Sequence, residues 1–303
     1  MHLYTHPDCE KHKLTKHPER PDRLSAVIER LNASGLSKDM QTHLAKEISD
    51  NHLEMVHPES YIASVEESEP TNSTIRLDPD TYMSPGSLRA AKLAAGACIT
   101  AMDDILAGKT DRAFCAIRPP GHHAEVAAAM GFCIFNNIAL AAEIALADPT
   151  IERVAIVDFD VHHCNGTVDI FKERPEVMVC SSFQQDHYPY RYLDFTNDHI
   201  INTPLAAGTA GRQFRTAIEQ DWLSAIDRHR PNLLLISAGF DAHELDPLAD
   251  LCLREDDYAW VTSVLKDLAA DYANGRIMST LEGGYHLSAL ASSVEAHVST
   301  LLA

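Results

Sequence analysis

The chain is short of positive charge. Its 25 lysines and arginines face 44 aspartates and glutamates, a formal net charge of −19 over 303 residues. Nucleic acids are held by basic footprints, so this balance excludes general nucleic-acid binding and mildly favours cationic ligands such as lysine-bearing peptides or polyamines. Solubility alone would also explain an acidic surface. Paired cysteines are missing as well. The seven cysteines, at 9, 98, 115, 133, 164, 180 and 252, are odd in number and never spaced CxxC. Many lie in apolar runs, as thiols packed like small hydrophobes in a reducing compartment do. No apolar run reaches transmembrane length, and the opening MHLYTHPDCEKH has no apolar signal region. Together these predict a soluble cytoplasmic protein with no membrane partner. Repeats, low-complexity tracts and linkers are also lacking, so one domain over 1–303 is expected.

What is present is an alternation. AFCAI (113–117), VAIVDF (154–159), VMVCSS (177–182), LLLISA (233–238) and RIMSTL (276–281) are short and almost continuously apolar. Strands buried on both faces of a parallel sheet read this way. Helical patterns lie between them, over 88–108, 136–147, 211–229 and 255–275, while 50–85 reads as polar and loop-rich. The expected class is α/β, a parallel sheet sandwiched by helices.

Ligands of open parallel sheets bind beyond the carboxyl ends of the strands. There the chain places RPPGHHA (118–124), DVHHCNG (160–166), GFDAHELDP (239–247) and EGGYH (282–286). Four strand ends thus deliver histidine, aspartate and tyrosine to one edge. In DFDVH, residues 158, 160 and 162 share parity, so an extended backbone points Asp158, Asp160 and His162 one way. Asp160 and His162 are candidate metal ligands, with Asp158 behind them and Asp241 as the third. Two carboxylates and one imidazole leave an open position, as catalytic sites do. The donor set suits zinc, iron(II), cobalt or manganese. His122 and His123, on a turn stiffened by Pro119 and Pro120, are placed to move protons to and from a bound water and a leaving amine. Tyr285 is placed to hydrogen-bond a developing oxyanion. Taken singly, each has an ordinary structural reading: a cap, a packed histidine, a turn. Four loops in agreement make that reading a poor account of the whole.

RPPGHHA, GFCIFNN, VDFDVHHCNGT, SAGFDAHELDPLADL and LEGGYH, in this order, resemble the zinc-dependent histone deacetylase family, in its class II and bacterial deacetylase-like branch. HPERPDRL (17–24) and INTPLAAGT (201–209) resemble further family segments, and the likeness spans nearly the whole chain. It implies an arginase/deacetylase fold, with a central, mostly parallel sheet of about eight strands flanked by helices. It implies one zinc ion on Asp160, His162 and Asp241, and a potassium ion beside it at Asp158, Asp160, His162, Ser181 and Ser182. By the same resemblance His123 is general base and acid, His122 its electrostatic partner backed by Asp158, and Asn165 stands behind His123. Tyr285 would polarise the acyl carbonyl. Gly131, Phe132 and Tyr188 would wall a substrate tunnel with Leu248 and Gly284, and Asp80 would hold the substrate backbone at the rim. Arg20 or Arg23 would line an internal acetate channel.

Two departures stand out. Cys164 replaces the usual glycine after the tandem histidine, and HYPYRYLDF (187–195) lacks the family's glycine-rich run. Within the family, acetyl-lysine and acetylpolyamine are rival substrates. Eukaryotic polyamine specialists carry a glutamate after the DP of the third metal loop, where this chain has Leu248, which favours acyl-lysine. Binuclear manganese ureohydrolases bridge their metals with Asp-x-His-x-Asp, and here Cys164 stands where the last carboxylate would be. A catalytically dead acyl-lysine binder would not need both His123 and Tyr285.

Overall fold

A computed structural model describes residues 1–303. Ten strands form, at His2–Thr5 (β1), Gln41–Leu44 (β2), Ile75–Arg76 (β3), Tyr82–Met83 (β4), Arg112–Cys115 (β5), Val154–Asp158 (β6), Val177–Gln184 (β7), Ile200–Leu205 (β8), Leu233–Ala238 (β9) and Ile277–Leu281 (β10). The α-helices are Asp22–Ala33 (α1), Asp50–Leu53 (α2), Glu59–Glu67 (α3), Ser87–Leu106 (α4), Asn137–Leu146 (α5), Asn165–Phe171 (α6), Gly211–His229 (α7), Glu255–Tyr272 (α8) and Leu287–Leu302 (α9).

Eight strands make one sheet in the order β2-β1-β5-β10-β9-β6-β7-β8, and every pairing in it is parallel. The inner strands β6, β7, β9 and β10 are buried along their whole length, which is why their sequences are apolar without alternation. Helices cover both faces. On one, α4 packs on β1, β5 and β10, and α5 on β6 and β9; on the other, α7 packs on β7 and β8, α8 on β9, and α9 joins α8 to α1. The edges look different. β2 is largely exposed, and β8 carries Pro204, which an edge strand tolerates.

The order places the site. β5, β10, β9 and β6 are consecutive neighbours, so the segments after them, residues 116–124, 282–286, 239–247 and 159–166, leave the sheet side by side at its carboxyl edge. The stretch 50–85 is more regular than its sequence suggests. It holds α2, α3 and the antiparallel β3–β4 pair, and α3 hides its short apolar stripe in just Ile62 and Val65. No helix is long and apolar enough to cross a membrane.

Candidate active site

Strand β6 ends at Asp158, so the parity of 158, 160 and 162 does not come from an extended backbone. It comes from two successive side-chain turns. Asp158 Oδ1 accepts from the Asp160 N–H at 3.0 Å, and Asp160 Oδ1 accepts from the His162 N–H at 2.9 Å. Aspartate at every second position is what such a path requires. Asp241, three residues beyond β9, accepts from the Val161 N–H at 2.8 Å and so ties the two loops together.

The ligand atoms of Asp160, His162 and Asp241 all lie within 4.8 Å of one another, and all three residues are buried. His162 Nδ1 is 3.0 Å from Asp160 Oδ1 and 3.3 Å from Asp241 Oδ2. Asp241 Oδ2 makes no well-aligned hydrogen bond, an orphaned carboxylate oxygen aimed at the cluster's centre. The space is kept by glycine. A Cβ at Gly239 would run into the Asp160 carboxylate, and one at Gly283 into both carboxylates. Two buried carboxylates side by side need a cation between them. Asp160 is held far below the usual carboxylate range: burial opposes its charge, but His122 and His162 outweigh burial. The donor set and its orphaned oxygen therefore fit a divalent metal ion.

The tandem histidines sit beside this cluster, ring centroids 4.0 Å apart. Their turn is braced from below by Glu282, whose Oε2 accepts from the N–H groups of Gly121 at 2.7 Å and His122 at 3.2 Å. His122 Nδ1 lies 2.9 Å from Asp158 Oδ2. Burial works against its charge, yet Asp158 and Asp160 outweigh burial and push it up to about 10. His123 goes the other way: burial first, then the neighbouring imidazoles of His122 and His162, drive it well below the ordinary imidazole range. Two adjacent histidines are thus split into a cation and a neutral base. Tyr285 follows β10 and packs against Phe132 at 5.9 Å and the Arg23 guanidinium at 5.0 Å. Burial raises its phenol well above the usual range, so it remains a donor.

These groups open onto one pocket of about 220 Å³, lined by Asp80, His123, Gly131, Phe132, His162, His187, Tyr188, Leu248 and Tyr285. Gly131 and Phe132 both have left-handed backbones, φ 56° and 68°, and a Cβ at Gly131 would strike the His123 ring. Asp80 Oδ1 accepts from the Gly131 N–H at 3.0 Å. Tyr188 stands edge-on to His123, centroids 5.3 Å apart. Gly284 does not line the pocket; its carbonyl accepts from Arg23 Nε at 2.6 Å. Arg23 is buried there with Glu19, while Arg20 lies outside α1, half-exposed and paired with Asp22. Asp158 and Ser181 are register partners across β6 and β7, with Ser182 next along β7, and all are buried. Cys164 is fully buried and its thiol is pushed well up by burial, so the departure from glycine adds packing rather than a reactive group.

Four site residues escaped the sequence reading. Glu282, Asp246, Glu125 and His187 stand inside or beside quoted motifs, but single charged or aromatic residues carry no spacing signal. Asp246 accepts from the Tyr285 N–H at 2.6 Å and fixes the tyrosine loop.

Fold and site together define an α/β protein with a candidate divalent-metal site at the carboxyl edge of a parallel sheet. A histone deacetylase domain model matches residues 17–301. The chain is 38% identical to the histone deacetylase-like amidohydrolase of Pseudomonas aeruginosa, over 89% of this chain and 72% of the relative. It is 34% identical to the human polyamine deacetylase HDAC10 across 99% of this chain, which spans 46% of that protein. The crystal structure of the HDA15 HD domain superposes with a TM-score of 0.94 at 34% identity, covering 99% of this chain and 87% of that one. The chain belongs to the histone deacetylase family and is a hydrolase of the deacetylase kind.

Proposed function

We propose that the protein removes acetyl, or another short acyl group, from the side-chain amine of lysine in peptides or proteins and releases acetate. One observation carries the reading: His162 of a three-residue cluster of candidate metal ligands, His123 of the histidine pair and Tyr285 line the same pocket. Asp160, His162 and Asp241 would hold zinc, and Asp158, Asp160, His162, Ser181 and Ser182 a potassium ion. Zinc, when bound, supplies Lewis acidity towards the acyl oxygen and lowers the pKa of water.

The chain's own residues do the rest. Tyr285 donates a hydrogen bond to the acyl oxygen as negative charge grows on it. Neutral His123 takes the proton of the attacking water and later hands it to the departing amine, which leaves poorly without one. His122, kept cationic by Asp158, adds positive charge beside the developing anion and stays out of the proton transfer. Phe132, Tyr188 and Leu248 give the pocket walls an apolar surface suited to a tetramethylene stem, and Asp80 adds a carboxylate to the lining.

Acetylpolyamine is the second reading, supported by similarity to a polyamine deacetylase and by the chain's net charge of −19. Leu248 in the pocket wall favours the acyl-lysine stem. Purified zinc-loaded protein offered a panel of acyl-lysine peptides and N-acetylputrescine separates the two. Faster acetate release from the peptides supports the proposal; consumption of N-acetylputrescine alone contradicts it.

A further inference from the structure

His123 needs one particular tautomer to act as a base towards the pocket, and the structure shows what sets it. Its Nδ1 lies 2.6 Å from Asn165 Oδ1. An asparagine alone does not choose. Turned half around, its amide would offer an NH2 to His123 and reverse the tautomer. The other end of the amide settles the matter. Asn165 Nδ2 donates to Glu125 Oε1 at 2.8 Å, with longer contacts to the His123 carbonyl and Met130 Sδ, both at 3.4 Å. Carboxylate, carbonyl and thioether can only accept. Nδ2 must therefore face them, Oδ1 must face His123, and the ring must carry its proton on Nδ1. Nε2 is left unprotonated on a ring that lines the pocket.

Glu125 is 6% exposed, and its second oxygen, Oε2, is 3.1 Å from Arg191 Nη1. Burial pushes its carboxyl up, while the Asn165 amide and Arg191 pull it back towards the charged form. Arg191 comes from the segment between β7 and β8 that also sets His187 and Tyr188 in the pocket wall. That segment is tightly bent. Asp186, Tyr190 and Tyr192 have left-handed φ of 55°, 58° and 58°. It is pinned by Asn202 Nδ2, which donates to the carbonyls of Tyr192, Leu193 and Phe195, and by Tyr192 Oη, which donates to Asp169 at 2.7 Å.

We propose that Glu125, held by Arg191, is a positioning residue that locks the Asn165 amide and through it the Nδ1–H tautomer of His123, joining the pocket rim to the proton-transferring histidine in one polar chain. The catalytic consequence rests on the role given to His123 above; the tautomer does not.

The test is ¹⁵N-histidine NMR of the zinc-loaded full chain, with steady-state kinetics, on wild type, Glu125→Leu, Glu125→Gln and Arg191→Ala. Wild type shows His123 protonated at Nδ1 and bare at Nε2. Glu125→Leu, which leaves Asn165 Nδ2 only the two long 3.4 Å contacts, shows a mixed or reversed pattern, and its kcat falls by about tenfold or more with KM little changed, part of the ~10²–10⁴ that acid–base catalysis supplies. Glu125→Gln keeps an acceptor oxygen and restores both readouts; Arg191→Ala falls between. A folded Glu125→Leu protein with the wild-type tautomer and kcat overturns the proposal. If that variant does not fold, a wild-type His123 protonated at Nε2 overturns it equally. A wild type with the expected tautomer pattern but no deacetylation leaves the lock standing and sinks the proposed reaction instead.

Discussion

At the scale of single residues, the site works by pulling like groups apart. His122 and His123 are neighbours in sequence and in space, yet Asp158 behind the first and burial against neighbouring imidazoles for the second make them a cation and a neutral base. Tyr285 is kept neutral by burial, so in the proposed reaction its contribution would be a hydrogen bond that matters most in the transition state. Tyr285→Phe removes that bond alone. It is expected to lower kcat by about 10²–10³, the usual loss for one such donor, with metal content unchanged; the measurement is kinetics alongside elemental analysis. Retention of full kcat would remove the phenol from the reaction. The clustering is legible in the residues, because motifs at four strand ends carry the histidines, aspartates and tyrosine that the sheet brings together. The turn path through Asp158, Asp160 and His162 is not legible, since alternate aspartates serve a strand and such turns alike. The brace from Glu282 and the lock at Glu125 were not legible. Each depends on a partner 161 or 40 positions away, across the fold.

At the scale of elements, buried neutral histidines fasten one element to the next. His297 in α9 lies 2.6 Å from Thr262 Oγ1 of α8 and 2.8 Å from Ser279 Oγ of β10. His57 Nε2 accepts from the Asn136 N–H at 3.0 Å, where α5 is capped by the Asn136 side chain. Burial lowers His297 to about 3 and His57 to about 4. Below about pH 6.5 the unfolded chain binds protons that these folded sites refuse. Their contribution is complete above that pH and is lost as pH falls towards 4 and 3, by about 1.4 kcal/mol per pH unit for each. His122, lifted to about 10, is protonated in both states there and adds no slope. Thermal denaturation between pH 6.5 and 5 should show that steep loss, with a shallower slope in His297→Gln. An unchanged slope in that variant would count against a neutral buried His297. These junctions explain where sequence reading was weak. The inner strands announce themselves as apolar runs, but β1, β2 and β8 are short, exposed or interrupted by proline. α9 spends its buried face on alanine, serine and a histidine as well as aliphatics, which blurs its stripe.

At the scale of the whole molecule, the sheet order is the device that makes a site out of distant segments. Residues near 122, 160, 241 and 285 meet only because β5, β10, β9 and β6 lie side by side and point their carboxyl ends together. The chain's overall acidic excess mildly favours cationic ligands. The account stands on a single cation between Asp160, His162 and Asp241. Zinc titrated into chelator-stripped protein, with acetate release from an acetyl-lysine peptide as the readout, tests that most directly. Activity should rise linearly and break at one zinc per chain, and Asp241→Ala should show neither the break nor the acetate. A break at two equivalents, or turnover indifferent to zinc, would contradict it.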